Sequence, residues 1–205
     1  VRAEGSGADV TVCRCRGYNQ QTGAPFEMRW TVRENRLPVK TVFGAKEMKD
    51  YICTAFMGWA WDKLYRSSFL RRLKLQFQGL RSSNDAYFVF TSLALADKIS
   101  FVDRVFINQR RYTFSSISQT RDKSWDNCLA AADKIYEDWN ARGIFRRYER
   151  AFCNWYVNFM VWHYTTLGEE QRCALAARLA ERAEAYRLFE RGSDYYYQKN
   201  DYEQF

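Results

Sequence analysis

The densest chemistry in the chain lies in residues 58–85, GWAWDKLYRSSFLRRLKLQFQGLRSSND. Trp59 and Trp61 flank Ala60, Asp62 and Lys63 follow directly, and Asn84 and Asp85 close the stretch before an apolar run. The stretch thus combines a carboxylate at a predicted helix start with aromatic walls, a denser mix of polar and aromatic groups than elsewhere in the chain, and reads as half of an active site. In an extended segment residues two apart share a face, so the rings of Trp59 and Trp61 would form one wall. Such a wall stacks on a sugar or a nucleobase, and it serves equally well as a core contact. Asp62 and Lys63 would then point to opposite sides. Lys63 can meet a diphosphate or pair with a carboxylate, and Asp62 can accept hydrogen bonds from hydroxyls. Asp85 has a second reading too: a negative charge at a helix N-terminus is worth about 0.3–1 kcal/mol without any catalysis.

Gln109, Arg110 and Arg111 follow an apolar segment. The guanidinium fork matches phosphate geometry, although an arginine pair on a solvated surface has the same composition. His163 is the only histidine, so no histidine-rich metal site can form. It falls in an aromatic helix, is expected to be structural, and anchors no Ser-His-Asp or Cys-His arrangement. Cysteines stand at positions 13, 15, 53, 128, 153 and 173. The spacing of Cys13 and Cys15 is too tight for a zinc knuckle, and the six are read as free thiols in a reducing compartment. No metal ligand set is assigned.

The elements that must position these groups show in the hydrophobic rhythm. Residues 8–15 alternate as a strand, with residues 1–4 as the last turn of a helix before them. Residues 26–32 are expected as the return strand of a hairpin, residues 36–43 as extended around Pro38, and residues 45–56 as a helix. Residues 59–65 read as extended, 67–75 as a short helical turn, and 75–77 as extended again. The run after Asp85 is apolar all round and predicts a buried helix, followed by a strand over 99–107. The polar stretch 110–124 is taken as a boundary. Beyond it, apolar and aromatic residues every three or four positions predict three helices, the first stopped by Gly143. The tail after Gly192 has no period and is left unassigned.

The chain has 205 residues, 47% hydrophobic and 18% aromatic, which is ample for a core and argues against a disordered chain. A net charge of +8 suits anionic partners: nucleic acid, a membrane surface or a nucleotide diphosphate. No apolar run approaches the length of a membrane span, and no secretory signal is present. The first residue is Val1, so the chain is expected to be a piece of something longer.

Three segments, in order, carry a family likeness. The stretch NDAYFVFTSLALADKISFVDRVFINQRR resembles the second half of a family 2, GT-A type glycosyltransferase. GWAWDKLYRSSFL resembles the Trp-x-Lys-Leu-Tyr-Arg segment of those enzymes, and ADVTVCRC resembles the strand after their aspartate-rich metal motif. The similarity spans roughly residues 1–120 and continues weakly into the helices. It implies an α/β fold, a partial GT-A mixed sheet over residues 1–120 with a C-terminal helical extension over 121–205. It also implies that Asp85, matching the final Asp of the family's Glu-Asp pair (here Asn84-Asp85), is the catalytic base. By the same resemblance, Trp59, Trp61, Asp62, Lys63 and Asn84 contact acceptor or donor, and Gln109, Arg110 and Arg111 reach toward the nucleotide diphosphate.

The chain departs from that pattern in two respects: it contains no Asp-x-Asp metal motif and no glycine-rich phosphate cradle. The resemblance thus implies the acceptor half of an inverting enzyme, with the divalent ion (Mn or Mg) expected only in the intact enzyme and the isolated fragment inactive. The implied substrates are a nucleotide sugar and a glycan or lipid-linked acceptor. The implied setting is bacterial surface polysaccharide synthesis in the cytoplasm, with peripheral association at the inner face of the membrane and no specific nucleic acid partner. Two other readings stand beside it: a non-catalytic basic and aromatic module for glycan, nucleic acid or membrane surface, and a helical interaction domain in residues 124–205.

Overall fold

The computed structural model describes residues 2–112, 117 and 120–205. Its architecture is mixed α/β: a five-stranded sheet with helices packed against it and a helical C-terminal extension. The spine is β1 (Val10–Asn19) paired in parallel with β5 (Ile99–Arg111), from Val10 opposite Ile99 to Asn19 opposite Arg111. The register shifts on either side of Arg14, where β5 carries extra residues, and such irregularities add twist. The other edge of β1 is shared by two short antiparallel strands. β4 (Lys63–Tyr65) lies along Val10–Val12, and β2 (Pro25–Glu27) lies along Arg16–Tyr18. β3 (Val42–Phe43) caps β5 at Ile99 and Ser100.

Helix α3 (Ala86–Leu95) is buried at every position from Ala86 to Ala94, as its all-round apolar sequence predicts. Two polar bonds tie it to the extension: Trp139 Nε1 donates to Thr91 Oγ1 at 3.0 Å, and the Tyr148 hydroxyl donates to the Ala94 carbonyl at 3.0 Å. Those donors belong to α4 (Asn127–Ala141) and α5 (Phe145–Thr166), which α6 (Glu169–Ala185) follows. Gly143 separates α4 from α5 at φ +67°, a conformation that favours glycine. One hydrophobic core runs from Val10 through α3 to Tyr196. Part of the expected boundary, residues 113–116 and 118–119, lies outside the described residues.

Several sequence expectations need correction. Residues 45–56 do not form an α-helix: a 3-10 turn, Ala45–Met48, gives way to successive turns. Met48, Ile52, Ala55 and Phe56 are still buried, so their spacing reports burial and not helix. The backbone is diverted because Ala45 N–H bonds to Ala96 and Glu47 accepts the Gly44 N–H at 2.7 Å. The hairpin's return strand ends at Glu27; a 3-10 turn, Arg29–Thr31, and a bridge from Val32 to Phe56 take the chain away from β1. Over 36–43 the chain opens with the 3-10 turn Glu34–Arg36 and reaches a ladder only at β3, and residues 75–77 join none. The first helix, α1 (Arg2–Ser6), runs through Gly5 and ends at Gly7, φ +63°. A short helix, α2 (Ser67–Leu73), stands where a helical turn was expected. The tail is docked: Tyr196 is buried, the Tyr197 hydroxyl donates to the Asp50 carbonyl at 2.6 Å, and α7 (Lys199–Gln204) follows.

Candidate active site

Strand β4 sets the site, because its pleat puts Lys63 and Tyr65 on one face and exposed Leu64 on the other. The Lys63 ammonium is fully withdrawn from solvent and donates to the carbonyls of Met57 at 2.8 Å and Trp59 at 2.7 Å, and to Asp62 Oδ1 at 2.6 Å. Asp62 does not point away from Lys63 as an extended segment would require. It sits in the turn before β4, so its carboxylate folds back onto its neighbour. Burial pushes the Asp62 carboxyl up and the Lys63 ammonium down, and their mutual attraction offsets part of both shifts. Asp62 Oδ2 and the Tyr65 hydroxyl are buried without hydrogen-bond partners. Burial, with the Asp62 charge behind it, pushes the Tyr65 phenol up.

Asp85 stands at the head of α3 and is partly exposed. Its side chain makes no capping bond to the helix. Burial pushes its carboxyl up, while its own amide, the Lys63 charge and the Ala60 amide pull it down and Asp62 adds to the rise. The influence of Ala60 on Asp85 brings that carboxyl near the indoles, since Ala60 lies between them in sequence. Trp59 and Trp61 stack with centroids 4.5 Å apart at 21°, and Trp30 meets Trp59 edge-on at 5.5 Å. Trp61 is 39% and Trp30 46% exposed, so the wall opens to solvent. The structure thus gathers Trp59, Trp61, Asp62, Lys63 and Asp85, with Asn84 exposed beside them.

Gln109, Arg110 and Arg111 lie elsewhere. They pair with Gly17, Tyr18 and Asn19, whereas Lys63 pairs with Val12. Five strand residues separate those levels, about 16 Å at about 3.3 Å per residue. Sequence reasoning passed over Trp30, which sits in a stretch read as strand, and Tyr65, which the two-residue period of β4 places beside Lys63. His163 is buried, neither ring nitrogen has a partner, and burial beside Arg121 lowers its pKa to about 3. The cysteines are unpaired, with Cys53, Cys128 and Cys153 buried.

Among the described residues no three His, Cys, Asp or Glu groups converge as metal ligands. The nearest carboxylates, Asp62 and Asp85, have the Lys63 ammonium acting on both, which disfavours a dication between them. The described residues therefore do not fit the divalent ion that the sequence resemblance implies for an intact enzyme. No helix among them is long and apolar enough to cross a membrane.

No family model matches the chain, and no curated protein matches it. Among solved structures it is similar to S. aureus TarS 1–349 in complex with UDP-GlcNAc, at 14% identity and a TM-score of 0.44, covering 90% of this chain and 59% of that one. The same protein in complex with UDP is similar at 14% identity and a TM-score of 0.38, with 90% and 58% covered. The chain spans less than two thirds of the structures it resembles.

Proposed function

We propose that this chain carries the acceptor side of an inverting glycosyltransferase, with Asp85 as general base. One observation supports this above the others: a partly exposed carboxylate at the head of α3, pushed up by burial, lies within reach of the buried Lys63 charge and the Ala60 backbone, and Ala60 sits between the open Trp59 and Trp61 rings. A base works best when its pKa approaches the operating pH, and partial burial shifts Asp85 that way. In the proposed step the acceptor hydroxyl gives its proton to Asp85 as its oxygen bonds the anomeric carbon. The bond from that carbon to the nucleoside diphosphate breaks, and the leaving oxygen keeps the electron pair. The indoles stack on the acceptor ring. Lys63 acts indirectly, its buried charge holding Asp85 toward the ionised form.

A divalent ion would neutralise the leaving diphosphate, and no residue described here is assigned to it. Surface polysaccharide synthesis, peripheral membrane attachment and a cytoplasmic site remain part of this proposal through the family resemblance. Asp85→Asn in the full-length protein is expected to lower release of nucleoside diphosphate by about 10²–10⁴-fold. Undiminished turnover would remove Asp85 from the mechanism.

The exposure of Trp30 and Trp61 favours one second reading, a non-catalytic glycan module. Such a module binds saccharide through stacking and shows little salt dependence, whereas phosphate-backbone binding weakens steeply with salt.

A further inference from the structure

A cleft separates the chain after β2 from α5 and the docked tail, and Trp30, Arg33, Arg36, Asn158 and Tyr197 line it. We propose that this cleft binds an anionic group, phosphate or carboxylate, carried on a saccharide. The saccharide part rests on the transferase reading above; the anion part rests on the arginines alone.

The local backbone puts the two guanidinium groups together. Arg33 precedes the 3-10 turn Glu34–Arg36, and the Arg36 N–H closes that turn on the Arg33 carbonyl at 2.9 Å. The turn brings the two residues close enough for the Arg33 charge to act on Arg36, and both side chains line the cleft. Arg36 is held by rings, at 4.8 Å from Tyr197 and 5.7 Å from Tyr51, and its Nη1 donates to the Thr54 carbonyl at 3.4 Å. None of these contacts neutralises it. Among the described residues no carboxylate lies within 4.0 Å of either guanidinium. Arg14, Arg182 and Arg191, also half-buried, each pair with a carboxylate, whereas Arg121 and Arg150, like Arg36, are held by aromatic rings and uncharged oxygens.

Two like charges thus share a half-buried cleft. Burial pushes both groups down, and the charge of Arg33 pushes Arg36 further. The acid in the cleft, Asp201, raises Arg33 only through space and is held by Asn158 Nδ2 at 2.6 Å. Two positive charges against one negative leave the cleft short of an anion. The forked donors of arginine match the oxygens of phosphate and carboxylate. Trp30 lines the cleft and also touches Trp59, so a saccharide on the indole wall would carry its charged substituent toward Arg33.

The test is calorimetric titration of the protein with glucose 6-phosphate, glucuronate, inorganic phosphate and glucose. At least one anionic sugar is expected to bind about tenfold more tightly than glucose. The order of glucose 6-phosphate and glucuronate decides between phosphate and carboxylate. Inorganic phosphate isolates the anion part from the sugar. Arg33→Gln/Arg36→Gln is expected to weaken the anionic sugar about tenfold, and Arg178→Gln, outside the cleft, to leave it unchanged. Asn158→Asp, nearly isosteric, adds a second carboxylate and is expected to weaken binding comparably should the double variant fail to fold. Glucose binding as well as both anionic sugars, absence of binding by every anion, or full affinity in folded double and Asn158→Asp variants would each overturn the proposal. Absence of nucleoside diphosphate release from the full-length protein with its native Asp85 would sink the transferase reading alone, leaving the anion part to the inorganic phosphate arm.

Discussion

Ionised Asp85 sits where its surroundings favour the neutral acid, so the fold gives up stability to hold that charge. A carboxyl whose folded pKa is raised contributes stability below its unfolded pKa, near 3.9, and loses it as pH rises through the folded value. Asp85→Asn is therefore expected to raise the melting temperature at pH 7, with the gain shrinking as pH falls toward 4. Equal melting temperatures across that range would mean that the carboxylate is not desolvated. His163 works in the opposite direction. Its folded pKa of about 3 lies below the unfolded value near 6.5, so its contribution is complete above pH 6.5 and declines on acidification. The decline is at most about 1.4 kcal/mol per pH unit. His163→Phe, among the rings of Phe159 and Trp162, is expected to flatten urea-derived stability between pH 6 and pH 4. Among single residues the sequence showed the site unevenly. Trp59, Trp61, Asp62, Lys63 and Asp85 were legible because adjacency and a helix head brought them together. Trp30 and Arg33 were not, since turns in distant sequence deliver them and no period marks a turn.

At the scale of elements, α3 is the piece against which the others are placed. Its polar ties reach two helices of the extension, and the Thr91 hydroxyl depends on one donor, Trp139 Nε1. Trp139→Phe removes that donor from a fully buried position, and the cost is expected at about 1–3 kcal/mol by urea unfolding. A change below about 0.5 kcal/mol would mean that the bond and the indole's packing contribute little. Helix α3 was readable as an unbroken apolar run after a helix-start signal, and α4 to α6 because apolar residues recur every three or four positions over many turns. Residues 45–56 show the same spacing yet form turns. There the core captures individual side chains while Ala96 and Gly44 fix the backbone. Short strands such as β3 exist only through their partners, and no local preference announces them.

For the whole molecule, the tail links the parts. Asn158 and Asn154 on α5 bond to it, and Tyr197 reaches across to Asp50. Ending the chain before Ser193 would uncover the Tyr156 face of α5 and remove one wall of the cleft. That truncation is expected to lower both the melting temperature and the urea midpoint, and unchanged values would show the tail to be only laid on the surface. The mixed α/β class was legible from alternation followed by helical rhythm. The docking of the tail was not, because its tyrosines find partners far away in sequence.

The parallel pairing of β1 with β5 joins segments about 90 residues apart. A growing polypeptide exposes β1 long before its neighbour has been synthesised, so this strand emerges from the ribosome with one edge unsatisfied. Pairings at such long range close slowly and leave hydrogen-bonding edges open to other molecules in the meantime. Recombinant yield should therefore respond to slower translation, lower growth temperature or added chaperone more than to changes at the surface.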